Sequence, residues 1–332
     1  MDRKQKYSYY NIYGFIIAVS GPAIKSFDKE YWRFKIKTSK KVDLYIEQTA
    51  AKDLPIKLRQ DVKGIYIPFS KKEKKALYEK NINTDWLLYE IEPLISWKTK
   101  TFLHCGAVEK DGRAILFPAG GGVGKTTLVT FLLRKGFRYL SDDWLIVGDD
   151  GKAYPFLKTI HIFDYNLKDK DLAKRVLGRR RFFVMLKIKF LSLLPKIIPS
   201  RFTRIIVDRL MPIFSEDISK VFPKAKVGKI SQIKKVFWLL KEKNISAPII
   251  EKANSKTIAR KMSYINLLEM NHFFRNYYEY AYDTEVNEEI ESRHKNDIKI
   301  LEKAFKKADI YAVKVPAKMN PAKVFNLIKN HL

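Results

Sequence analysis

The sequence predicts an α/β protein built on a mixed sheet, with a smaller strand-rich unit ahead of it and a basic helical insertion within it. Three observations carry that reading. The apolar run "AILF" at Ala114–Phe117 leads through a glycine loop into helical text and out again into "FRYLSDD", a strand–helix–strand alternation. The first hundred residues hold several apolar runs of strand length. Charge is concentrated rather than spread: of a formal net +29, Lys174 to Lys235 holds 17 basic and 3 acidic residues.

The expected boundaries are 1–98 for the accessory unit and 99–332 for the main domain, with 168–235 as the insertion. In the accessory unit "NIYGFIIAV", "WRFKIKT", "KVDLYIEQ" and "KGIYIPF" read as strands. "KKEKKALYEK" and "TDWLLYEIEPLISWKT" read as helices. The strands "TFLHCGAVEK" and "RAILFPA" follow, joined by a turn at Lys110–Arg113. A helix is expected from about Lys125 to Arg134, then a strand "FRYLSDD", then a hairpin around Asp150-Gly151.

In the insertion, Phe183, Leu186, Phe190, Leu193, Leu194 and Ile197 recur at helical spacing, with Pro195 expected to break or kink the helix. Phe202, Ile205, Ile206 and Leu210 repeat the pattern more briefly. "VFWLLK" reads as a buried strand. Ser255 is the expected N-cap of a helix that puts Ile258, Met262 and Ile265 on one face. The strand "IYAVKV" and a helix opened by Asn320-Pro321 complete the pattern.

A chain of 332 residues can bury a large core. Its one cysteine, Cys105, excludes an intramolecular disulfide and suits a reducing cytoplasm. No signal-peptide pattern opens the sequence, and no apolar run approaches the roughly 18–20 residues of a membrane span. The expected location is cytoplasmic, with peripheral membrane association open to the basic segment.

Residues Ala119 to Thr126 read A-G-G-G-V-G-K-T, a phosphate-loop pattern with Ala119 in place of the first glycine. Glycines at Gly120, Gly121, Gly122 and Gly124, with Val123 between them, let successive backbone N–H groups turn toward phosphate oxygens. Lys125 is placed to neutralise β- and γ-phosphates, Thr126 to ligate Mg²⁺, and Thr127 to continue the binding turn. The helix that follows directs its positive end at the same anion. The pattern speaks for ATP and Mg²⁺ but leaves the reaction open.

Asp142 lies 17 residues beyond Lys125, at the end of the next strand-like run, with Asp143 beside it. One carboxylate there suits Mg²⁺, directly or through water. A second suits a base that takes the proton of an acceptor hydroxyl. Strand alternation points neighbouring side chains to opposite faces, so both reach one site only if the strand ends there. The plainer alternative is one metal ligand and one solvated turn residue. His104, 15 residues before Ala119, sits among Leu103, Cys105 and Ala107 and on periodicity alone reads as structural.

The set "HCGAVEKDGRAILFPAGGGVGKTT … FRYLSDD" resembles the catalytic domain of HPr kinase/phosphorylase and its kinase-like relatives. The resemblance is specific over Leu103 to Phe156 and faint from Val236 to Leu332. It implies a nucleotide core like that of phosphoenolpyruvate carboxykinase, with mixed strands. It implies that Gly120, Gly122, Gly124 and Lys125 cradle phosphates and that Thr126 binds Mg²⁺. Asp142 would be the base toward a serine hydroxyl, Asp143 would support metal or base, and His104 would line the phosphate site. The family's later glycine-rich, arginine-bearing signature has no counterpart in "YPFLKTIHIFDYNLKDKD". The likeness therefore does not extend to HPr as substrate, the reverse reaction or the hexamer. It is closer to divergent relatives such as lasso-peptide precursor kinases or those of surface-glycan clusters, in which Lys158 would help bind phosphate or acceptor.

Three functions follow as expectations. The first is an ATP/Mg²⁺-dependent kinase of a serine or other hydroxyl on a peptide or protein, with an acidic or anionic acceptor suiting the basic surface. The second is a kinase of a small molecule or glycan hydroxyl. The third is a non-catalytic nucleotide-binding regulator at a membrane surface. The basic segment suits peripheral contact with an anionic membrane. Nucleic acid is disfavoured for want of a recognisable module, and an oligomer is compatible with the sequence.

Overall fold

A computed structural model describes residues 7–21, 23–49, 64–68, 92–164, 166–168, 170–200, 203, 206, 207, 210–283 and 286–332. The chain divides into two compact units, one made of residues 1–157 with 226–332, the other of 158–225. The whole is mixed α/β, with one large mixed sheet.

The first unit opens with strands β1 (Tyr7–Ile12) and β2 (Phe15–Ser20), helix α1 (Ala23–Glu30), and strands β3 (Lys35–Ile36), β4 (Leu44–Thr49) and β5 (Gly64–Pro68), in sheet order β3-β1-β2-β4-β5. Two expectations need correction here. "NIYGFIIAV" is not one strand but a hairpin, because Tyr13 and Gly14 both take positive φ, 49° and 94°, and turn the chain so that Ile12 faces Phe15. "WRFKIKT" supplies only two strand residues after a 3₁₀ turn at Trp32–Phe34. The helical reading of "KKEKKALYEK" lies outside the described residues, as does 84–91. Of the remainder, Glu92–Leu94 forms a single 3₁₀ turn centred on Pro93, which cannot serve an α-helix interior.

The large sheet begins with β6 (Lys100–Lys110) and β7 (Arg113–Pro118), followed by helix α2 (Lys125–Arg134), β8 (Arg138–Ser141), β9 (Trp144–Gly148) and β10 (Lys152–Tyr154). The second unit holds the short pair β11 (Ile160–Ile162) and β12 (Phe214–Glu216), with helices α3 (Lys170–Leu177), α4 (Arg181–Ile197) and α5 (Ile218–Val221). The first unit resumes with β13 (Ser231–Glu242), β14 (Ile249–Lys252), α6 (Ser255–Glu269), α7 (Asn271–Asp283), α8 (Glu288–Ala304), β15 (Asp309–Pro316) and α9 (Pro321–Ile328).

The sheet order is β10-β9-β6-β7-β13-β15-β14, with β8 also on β6 and β10 also on β13. Strands β7, β13 and β15 are parallel neighbours, while β6 runs antiparallel to β7, β8 and β9. The Lys110–Arg113 turn forms as expected, with Asp111 at φ 53° and Gly112 at 73°.

Periodicity sets how the helices dock. Leu128, Val129, Leu132 and Leu133 of α2 are buried, each worth about 1.5–3 kcal/mol against exposure. Helix α6 buries Ile258, Ala259 and Met262 in a core shared with Leu103, Ala107, Val236 and Leu301. Its N-cap is Asn254, whose side chain accepts from Thr257 N, so the expected cap at Ser255 is off by one residue. Asn320 caps α9 as read, accepting from Ala322 N and Lys323 N. A second core packs Tyr10, Ile12, Phe27 and Ile46 with Phe102, Trp144, Phe156 and Phe273.

Candidate functional site

The site grows from the carboxyl end of β7, where the chain turns into α2. In parallel arrangements such ends are where loops converge on ligands. Gly122 and Gly124 take φ values of 70° and 109°, a region L side chains rarely adopt. Ala119 keeps an ordinary φ, so its methyl group in place of a hydrogen costs the loop nothing in backbone strain. A Cβ added at Gly120 or Gly122 would meet nothing within 4 Å, whereas one at Gly124 would come within 2.7 Å of Met319 Cε. The loop is thus closed on one side by Met319 and open at Gly120 and Gly122.

Lys125 is buried at the first turn of α2, and its Nζ donates to Ala119 O at 3.0 Å and Gly120 O at 3.2 Å. Burial pushes its pKa down, and the carboxylates of Asp143, Glu269 and Asp142 pull it back up. Gly106 on β6 explains how α2 comes so close to the sheet. A Cβ there would lie 2.8 Å from Val129 Cγ2 and 3.5 Å from Lys125 Cβ.

The two aspartates interrupt the run that pairs with β6. Ser141 faces Ala107 and Trp144 faces His104, while β8 ends at Ser141 and β9 begins at Trp144. Asp142 and Asp143 fall in the break, released from strand alternation, with Asp143 O still accepting from Cys105 N at 2.8 Å. Both carboxylates act electrostatically on Lys125. The condition set by alternation is therefore met.

The environments of the two acids differ. Asp143 Oδ1 lies 2.9 Å from His104 Nε2. Asp142 is hydrogen-bonded to Thr126, yet its Oδ1 is buried with no hydrogen-bond partner among the described residues. Burial, then the neighbouring Asp143 charge, raises the Asp142 carboxyl from 3.8 to about 7. Burial likewise raises the Cys105 thiol, which leaves it an inert neighbour.

His104 is held by its backbone and by the Trp144 ring, while its Nδ1 is buried without a hydrogen-bond partner among the described residues. Its backbone N–H donates to Asn266 Oδ1 at 3.0 Å, and Asn266 Nδ2 donates to Phe102 O. Its ring lies 5.2 Å from that of Trp144, and its Nδ1 lies 3.3 Å from Glu269 Oε1. The same Glu269 oxygen accepts from Gly121 N at 3.0 Å. Glu269 and Asn266 were not anticipated from sequence. Both come from the end of α6, and no local pattern ties a residue there to a loop 148 positions earlier.

Val123 is half-buried beside the loop, and Thr127 is exposed on α2. Lys158 is buried and belongs to the second unit. Among the described residues no group of three or more His, Cys, Asp or Glu is arranged to hold a metal ion alone. A cavity of about 820 Å³ lies at the opposite ends of β7, β13 and β15, lined by Lys110, Arg113, Lys135, Lys234, Lys307 and Lys329 among others. It is remote from the glycine loop by the length of the strands.

Chemically, the site offers backbone N–H groups, a buried lysine, a carboxyl with one buried, unpartnered oxygen and a second carboxylate held by histidine. Such a set can bind an anion, order a divalent cation through oxygens and accept a proton. Neither the family models nor the curated proteins compared with the chain give a match.

Proposed function

We propose that the chain is an ATP/Mg²⁺-dependent kinase that transfers the γ-phosphoryl group to a serine or other hydroxyl of a peptide or protein. The observation that carries this reading is the convergence of Lys125, Asp142, Asp143 and His104 around one glycine loop, with Asp142 raised to about 7. A base works best when its pKa sits near the operating pH, and this one does. The order of β7, loop, α2 and the broken strand β8/β9 also supports a core of the phosphoenolpyruvate carboxykinase type.

In this reading the triphosphate takes up the open side of the loop at Gly120 and Gly122, and Lys125 exchanges two carbonyl partners for phosphate oxygens. Thr126 and Asp143 are the residues that would hold Mg²⁺, since both offer the oxygen atoms this small, hard cation prefers. Bound there, the ion would neutralise charge that builds on the transferring group. Asp142 takes the acceptor's proton on its carboxylate as the hydroxyl oxygen bonds phosphorus and the bond to the leaving diphosphate breaks. His104 keeps Asp143 oriented.

The test is transfer from γ-labelled ATP to an acceptor in a cell extract. Labelled acceptor with the wild type and none with Asp142→Asn is the expected result. Release of free phosphate alone, at equal rates in both proteins, would remove the kinase reading and leave a nucleotide hydrolase or regulator.

A further inference from the structure

Helix α4 turns its apolar side outward. Phe182, Phe183, Leu186, Phe190 and Ile197 are 71, 73, 56, 60 and 71% exposed, and Leu193 is 41% exposed. At 100° per residue these six side chains fall within an arc of about 100°. Ile188 and Leu191, the two buried residues of the helix, lie on the far side of that arc. Periodicity alone leads one to place the stripe against the protein; the fold instead buries the opposite face. Pro195 does not break the helix either. It stands in the last turn, where a missing N–H costs one bond, and the helix continues to Ile197.

Charge frames the stripe. From Arg179 to Ser200 there are six basic residues and no acidic one. On the helical wheel Lys189 and Lys196 border one edge of the stripe and Lys187 the other, with Arg179, Arg180 and Arg181 at the leading end. A lone exposed leucine means little, but a continuous apolar stripe marks an interaction surface. Nucleic acid would take the cations and leave the phenylalanines in water. A second copy of the chain would bring two cationic rims together. A surface of anionic lipid headgroups over acyl chains takes both features at once.

We infer that α4 is an interfacial helix that lies in the plane of an anionic bilayer, with Phe182, Phe183, Leu186, Phe190 and Ile197 inserted and the flanking lysines and arginines at the headgroups. Lying and not spanning is required by the helix itself. Its 17 residues carry four charges and extend about 26 Å, and among the described residues no helix is long and apolar enough to cross a membrane. The inference is independent of the proposed chemistry, since no residue of the glycine-loop site belongs to α4.

Co-sedimentation of the full chain with vesicles tests it. Wild-type protein should pellet with phosphatidylcholine/phosphatidylglycerol vesicles at least about tenfold better than with pure phosphatidylcholine, and less well in roughly 0.5 M salt. The triple variant Phe182→Ser, Phe183→Ser, Phe190→Ser should lose about tenfold or more in vesicle affinity. Its far-UV circular dichroism and nucleotide affinity should be unchanged, since these rings are exposed. The variant Arg179→Ala, Arg180→Ala, Arg181→Ala should lose the dependence on phosphatidylglycerol. Three results each overturn the inference: no pelleting of the wild type, equal pelleting of the phenylalanine variant, or a lipid-free dimer that the phenylalanine variant abolishes.

Discussion

Helices α2 and α4 read alike in sequence and end in opposite situations. Both mix Leu, Phe and Val with Lys or Arg at helical spacing. Helix α2 buries Leu128, Val129, Leu132 and Leu133 beneath it, and Lys125 at its first turn is buried too. Helix α4 buries two residues and exposes six large apolar ones. Periodicity names the residues that share a face, but it does not say whether the chain supplies a cover for that face. For α2 the cover is β6, brought close by Gly106. For α4 the described residues leave the stripe in water.

The largest expected effect is in the break between β8 and β9, beside the first turn of α2. Asp142→Asn removes the proposed base while keeping the side chain's size, and should lower phosphoryl transfer by roughly 10²–10⁴-fold, read as label on the acceptor. Nucleotide affinity should survive. Serine substitutions on the outer face of α4 should leave nucleotide binding unchanged, so the two helices separate in one assay. Equal transfer by Asp142→Asn and wild type would break the comparison at its functional end.

Stability offers the next contrast. Leu128→Ala should cost about 2–5 kcal/mol, because a fully buried leucine leaves a cavity. Leu186→Ala, at 56% exposure, should change stability by no more than about 0.5 kcal/mol. Urea unfolding of the two variants gives both numbers. A large loss for Leu186→Ala would mean that the outer face of α4 is covered after all.

A smaller effect links stability to pH. The folded Asp142 carboxyl is raised from 3.8 to about 7, so the folded state holds this proton more tightly than the unfolded chain. The wild type therefore loses stability as pH rises from about 4 to about 7. Relative to wild type, Asp142→Asn should be more stable above pH 7 by up to about 4 kcal/mol, with the gap closing below about pH 4. Transfer activity should run the other way, rising through pH 7 as the base ionises. Thermal melts of both proteins across this range decide it, and a constant gap would show that Asp142 does not titrate there.

These sites differ in how far the sequence announces them. The strand-turn-strand over 100–118, helix α2, the break at Asp142-Asp143 and the cap at Asn320 rest on neighbours within a few positions, and local signals suffice. The Tyr13-Gly14 hairpin was missed because a tyrosine rarely accepts positive φ, so the turn hid inside an apolar run. Glu269 and Asn266 were missed for a different reason. Their positions depend on α6 packing against β6, which is decided by Ile258, Ala259 and Met262 in the core, and nothing near residue 269 encodes a partner at Gly121 or His104.

Glu269 gives the smallest effect and the sharpest view of α2. The glycine loop ahead of that helix already has an anion, since Glu269 Oε1 accepts from Gly121 N at 3.0 Å while lying 3.3 Å from His104 Nδ1. A triphosphate entering the loop would have to displace this carboxylate from the amide and tolerate its charge nearby. Glu269→Gln keeps the length and the acceptor oxygen but removes the charge. Because the side chain is 33% exposed, solvent screens much of the repulsion, and the gain in affinity for a non-hydrolysable ATP analogue should be only roughly threefold to tenfold. Calorimetric titration of the two proteins with that analogue and Mg²⁺ reads it directly. Tenfold weaker binding would assign the carboxylate to the binding machinery itself, through the metal or through His104. The loop end of α2 would then be completed by the chain's own acid, and not shielded by it.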